Sequence, residues 1–150
     1  MRFYKLFIIL FFSFNSFCQK TISDQNSLSE KQNVILDYSK LSADSLNNLL
    51  DRFMKEAYFT CQNYIPEYVN LSKDLIQRSI ILNFREKDLT GIKNISEVAI
   101  KNKCNSNLSH SNQFNLNTFN PIIYRLNFLS NQDQLFRLYN SNYVLYIKGK

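Results

Sequence analysis

The sequence predicts an α+β domain in which N-terminal helices pack on one face of a C-terminal antiparallel β-meander. Three observations carry that prediction. Residues 46–58 repeat apolar side chains at three- and four-residue spacing, Pro66 heads a second helical stretch, and three short alternating runs separated by turn residues follow Pro121. Helical patterns and strand patterns that occur in separate blocks, not in alternation, point to helices on one side of an antiparallel sheet.

In the first helix Leu46, Leu49, Leu50, Phe53, Met54, Ala57 and Tyr58 share one face. Ser42 is a natural N-cap, Asp44 sits where the helix dipole favours an acid, and Leu41 can staple onto Leu46. These signals predict a helix from Ala43 to Thr60. The second helix spans Pro66 to Gln77, with the proline at the first position, where its missing N–H costs nothing. Tyr68, Leu71, Leu75 and Ile76 would face inward.

Arg78 to Phe84 reads as a strand, and Ile92, Ile95, Val98 and Ala99 return to helical spacing. Asn102 to Asn120 is rich in Asn and Ser and reads as loops with a short strand at Phe114 to Leu116. With only two glycines in the chain, asparagine is expected to make the turns, because it tolerates the left-handed region. The meander comprises Ile122 to Leu129, Gln134 to Tyr139 and Tyr143 to Lys148, with turns at Ser130–Asp133 and Asn140–Asn142. If Ile122, Tyr124, Leu126 and Phe128 are buried, then Phe136, Leu138, Tyr143, Leu145 and Ile147 share their side. The opposite face then presents Arg125, Arg137, Tyr139, Tyr146 and Lys148.

Residues 1–18 read as a signal peptide. Arg2 and Lys5 form a positive start, Leu6 to Phe14 an apolar core, and Ser16 and Cys18 place small side chains before a cut that leaves Gln19 first. The apolar run is shorter than the ~20 residues that span a bilayer, so no transmembrane segment is expected in the mature chain. Lipidation of Cys18 is the alternative, although Phe17 and Asn15 stand where a lipoprotein signal has a small and an aliphatic residue. The aromatic leader, the cut before Gln19 and the abundance of Asn, Lys and Ile resemble exported proteins of Bacteroidota. That resemblance implies a periplasmic or secreted protein. Residues 19–41 are polar and weakly patterned and read as a flexible N-terminal segment that could dock through Val34, Ile35 and Leu36. Residues 42–150 read as one globular domain.

Without Cys18, Cys61 and Cys104 remain as an even pair, suited to an oxidising compartment. A disulfide between them closes a loop of roughly 44 residues and contributes about 4 kcal/mol through chain entropy. Outside the leader, sixteen basic residues stand against twelve acidic ones, a balance of +4. That charge is too mild for a nucleic-acid footprint, and export also argues against such a partner. Scarce glycine excludes phosphate loops and dinucleotide fingerprints, so no cofactor is expected. His110, the one histidine, has no second histidine or carboxylate within residues 105–112 and reads as a solvated loop residue, not a metal ligand. Asp51 and Lys55 form a surface pair, and no residue is assigned a catalytic role.

The face with Arg125, Arg137, Tyr139, Tyr146 and Lys148 is the candidate binding site. Guanidinium groups beside aromatic rings suit an acidic protein surface or an anionic or sugar-like ligand. The expected function is that of an exported, non-enzymatic domain that binds a macromolecule or ligand, inhibitor-like or immunity-like. The order of elements also resembles cone-shaped NTF2-like domains, which implies a pocket. A small periplasmic hydrolase or lyase with carboxylates assembled in that pocket is therefore the alternative. Two carboxylates in a pocket would favour the enzyme, and a flat basic-aromatic face would favour binding.

Overall fold

Helix α1, Ala43–Ala57, starts where the capping signals place it. The Ser42 hydroxyl accepts the Ser45 N–H at 3.2 Å, and Leu46, Leu50, Phe53, Met54 and Ala57 are buried. The computed structural model describes residues 33–61 and 66–150, so the predicted signal peptide, Cys18 and the first part of the 19–41 segment lie outside the described residues. The helix ends before Thr60 because Thr60 turns away to a new partner. Its N–H and hydroxyl donate to the Cys104 carbonyl at 2.8 and 2.6 Å. Helix α2, Pro66–Gln77, buries Ser72, Leu75 and Ile76. Tyr68 is exposed and does not face inward; its ring stacks against Tyr58 at 6.5 Å.

Five strands form one sheet: β1 Asn33–Asp37, β2 Ser79–Asn83, β3 Lys93–Asn94, β4 Gln134–Arg137 and β5 Tyr143–Ile147. Their order is β1-β2-β5-β4-β3, antiparallel except for the short parallel pairing of β3 with β4. The protein is thus a mixed α+β fold with a mostly antiparallel sheet. The sheet is not a simple meander, because β2 inserts beside β5 and residues 122–129 contribute no strand.

Local chemistry explains each departure. Pro121 lacks an N–H and opens a 3-10 turn, Pro121–Ile123, which Asn120 caps by accepting the Ile122 N–H at 2.9 Å. The chain then runs beside residues 99–101, with Lys101 N–H on the Ile123 carbonyl at 2.7 Å and Arg125 N–H on the Ala99 carbonyl at 2.8 Å. Ile122, Tyr124 and Leu126 are still buried, as the alternation required. No helix forms over residues 92–99. Gly91 takes φ +81°, β3 follows, and a 3-10 turn at Ile95–Glu97 is closed by a capping box from Asn94 and Glu97. Residues 114–116 form no strand; the Thr118 and Phe119 N–H groups close turns onto the Asn115 carbonyl.

Within the segment read as flexible, residues 33–37 form the edge strand β1, paired with β2 around a bulge between Val34 and Leu36. Asp37 then caps a 3-10 turn, Tyr38–Lys40, that carries Tyr38 into the core.

The two faces of the sheet are occupied differently. On the inner face Ile81, Leu145 and Ile147 share one core with Leu50, Phe53, Leu75 and Ile76 of the helices and with Ile122 and Tyr124. On the outer face Leu82 and Val144 are covered by Phe84 and by Leu89 of the 3-10 turn Glu86–Leu89, with Ile80, Leu135 and Tyr146 only partly buried around them. Cys61 and Cys104 are joined by a disulfide, with Cα atoms 5.3 Å apart, inside the usual range. The bond suits an environment other than the reducing cytoplasm. Among the described residues no helix is long and apolar enough to cross a membrane.

Candidate functional site

The outer face of the sheet collects three of the five predicted binding residues. Arg137 on β4 pairs with Val144, and Tyr146 on β5 lies between Ile80 and Leu135 in the neighbouring strands. Lys148 continues the alternation past the end of β5, with its side chain exposed. Arg137 is steadied by a 2.9 Å bond from Nε to the Ser141 carbonyl.

Tyr146 donates its hydroxyl to Asp133 Oδ2 at 2.8 Å, and Asp133 Oδ1 accepts the Gly149 N–H at 2.8 Å. Burial, the bond to Asp133 and the nearby carboxylate charge raise the Tyr146 pKa above its ordinary value, so the hydroxyl stays protonated as a donor. The closing residues fold tightly here. A Cβ on Gly149 would collide with the Asn131 carbonyl, which makes glycine a steric requirement at that position.

Tyr139 and Arg125 leave the predicted face. Tyr139 has φ +55°, the only positive φ among the described non-glycine residues, and this rotates its side chain out of the strand alternation. It is 6% exposed, and its hydroxyl meets that of Tyr124. Arg125 belongs to the stretch beside Ala99, outside the sheet, and its charge acts on Lys101. The Lys101 ammonium lies 3.9 Å from the centroid of the Phe128 ring, a contact that favours the charged form. Burial and the Arg125 charge nevertheless push Lys101 down to about 8.

A polar pocket of about 200 Å³ opens where the end of α1 meets the Asn/Ser segment. Its position follows from three tethers. The disulfide joins Cys61, just beyond α1, to Cys104, the Asn105 side chain donates to the Glu56 carbonyl at 2.8 Å, and Thr60 binds the Cys104 carbonyl. Asn120, fully buried, donates to the Phe53 carbonyl and to Glu56 Oε2, both at 3.0 Å. Glu56 thereby faces the loop through a fixed partner. Phe119 and Tyr124 form an aromatic wall, their rings 6.0 Å apart.

The Tyr124 hydroxyl is held well above the ordinary phenol range by burial first, then by the bond to Tyr139 and by the charges of Tyr139 and Glu56. Exposed His110 sits at this end, its ring 5.9 Å from that of Tyr124.

The sequence does not announce this pocket, because its residues come from three separated stretches and carry no motif. One signal was present: the pair Cys61 and Cys104 fixed which loop meets which helix end. Among the described residues no three His, Cys, Asp or Glu side chains cluster as metal ligands would. The chain matches no protein-family model, no curated protein and no solved structure.

Proposed function

We propose that the chain is an exported, non-enzymatic domain that holds a protein partner on the outer face of its sheet, as an inhibitor-like or immunity-like protein would. One observation carries this reading: the row Ile80, Tyr146 and Leu135 across β2, β5 and β4 is apolar and only partly covered. A sheet face turned to water ordinarily alternates to polar residues, and an incompletely covered apolar one marks an interaction surface. Val34, opposite Leu82 on the edge strand, extends the surface and is 52% exposed. Arg137 and Lys148 flank the row with positive charge, so the partner is a protein whose apolar contact patch is rimmed by acids. The leader at the start of the sequence and the disulfide support placement outside the cytoplasm. In the pocket, Glu56 is the one carboxylate among the described lining residues, where a hydrolase of the alternative type would bring two together.

Site-specific photo-crosslinking in the producing cells tests the reading. A photoreactive residue at Leu135 or Lys148 of the full chain is expected to trap one protein of defined mass, and the same residue at Lys103 is not. The trapped protein, once purified, should bind the wild-type chain and lose about tenfold or more in affinity to Tyr146→Ala, as expected for a central aromatic contact. Equal adducts at all three positions, or none at Leu135 and Lys148, would overturn it.

A further inference from the structure

We infer that the polar pocket is a binding site for one neutral polyhydroxylated ring, a monosaccharide or its equivalent, independent of the outer sheet face. The lining groups match that chemistry. Ser109 and Thr118 present hydroxyl groups that both donate and accept, as the hydroxyls of a sugar do, and Asn115 adds amide N–H donors while its oxygen holds the Asn117 N–H. Glu56 adds one strong acceptor. Its Oε2 is occupied by Asn120, and its second oxygen has no hydrogen-bond partner among the described residues. Among the described residues no cationic side chain lines the pocket, so an anionic ligand would meet a carboxylate with no counter-charge there.

The two phenols add a directed donor. Tyr124 and Tyr139 share one hydrogen bond between their hydroxyls, and Tyr139 also accepts the Ser111 N–H at 3.4 Å. Of the two phenolic hydrogens, the shared bond uses one. The other remains to donate to a ligand. Phe119 and Tyr124, stacked on each other, form the apolar wall of the pocket. A volume of about 200 Å³ admits one ring. It lies below the ~300–1,000 Å³ of pockets for drug-sized ligands, which argues against a nucleotide or a lipid chain.

The pocket is also held ready, since the disulfide and the bonds of Thr60, Asn105 and Asn120 fix its two walls to each other. Preorganised walls reduce the ordering cost that weakens small-ligand binding.

Saturation-transfer NMR on the oxidised chain tests the inference with glucose, galactose, mannose and N-acetylglucosamine, and with glucuronate as the anionic control. Transfer is expected to at least one neutral sugar at millimolar concentration, and glucuronate should bind more weakly than glucose. Glu56→Gln keeps an amide in place of the carboxylate and should weaken binding about tenfold, the loss expected for a hydrogen bond to a charged group. Gln113→Ala, on the exposed rim, cannot disturb the core and should weaken binding about threefold, as for a neutral hydrogen bond. Absence of transfer to all four neutral sugars, tighter binding of glucuronate than of glucose, or unchanged affinity in both variants would overturn the inference. Failure of outer-face crosslinking would leave it standing.

Discussion

The outer face of the sheet and the polar pocket are built by different means. The outer face is a product of strand alternation: β2, β5 and β4 are locked by a continuous antiparallel ladder, and every second side chain falls on that side. The pocket wall has no ladder. Asn105, Ser111 and Asn115 each accept the N–H two residues ahead through the side chain, at 3.1, 3.2 and 2.9 Å, and the disulfide ties this segment to α1. A surface that rests on a backbone ladder should outlast loss of any one side chain, whereas a surface that rests on side-chain bonds and one covalent tether should not.

The disulfide gives the largest expected contrast. Joint replacement of Cys61 and Cys104 by alanine should cost about 4 kcal/mol, read as a lower midpoint in urea denaturation. The pocket should lose sugar binding at denaturant concentrations where the sheet is still intact. Leu145→Ala acts oppositely. This side chain is fully buried on the central strand, and its loss should cost about 3 kcal/mol and weaken both surfaces together in the same assay.

Asn120→Ala sharpens the comparison on the pocket side. It removes the cap on Ile122 and the bonds to Phe53 and Glu56, for about 1–2 kcal/mol of stability, while crosslinking from Leu135 should be unchanged. Ser42→Ala, the N-cap of α1, should cost about 1 kcal/mol in thermal melts and spare both surfaces.

Stability also depends on pH through a group beside the pocket segment. Lys101 titrates near 8 in the folded chain against 10.5 when free, so between those values the unfolded chain holds the extra proton. Stability should therefore rise with pH from about 8 towards 10, and Lys101→Met should flatten that rise. Above pH 10 the sign reverses, because Tyr124 and Tyr146 keep their protons longer when folded than when unfolded.

The same contrast explains how much could be read from residues alone. Where burial repeats with a period, the reading survives: α1, α2, β2 and the β4–β5 hairpin stand close to their expected positions, and so does the disulfide. Period reports burial, however, and not pairing. Ile122, Tyr124 and Leu126 alternate as a strand does and are buried, yet Pro121 and the Asn120 cap divert their backbone from the sheet. Asparagine makes the turns as expected, but by side-chain acceptance and not by left-handed backbone; Tyr139 takes that conformation instead. That one residue moved a predicted binding tyrosine from the outer face to the pocket. Glu56 and Asn120 were invisible as a pair because 64 residues separate them, and only the fold brings them within 3.0 Å.

The two surfaces are held independently, one by the sheet ladder and one by the disulfide-tethered segment, and that independence is open to measurement. Amide hydrogen exchange on the full chain, oxidised and then reduced, tests it most directly. Reduction should accelerate exchange across residues 104–119 while the amides of β2, β4 and β5 stay protected. Acceleration spread evenly over the strands and the pocket segment, or none in residues 104–119, would contradict it.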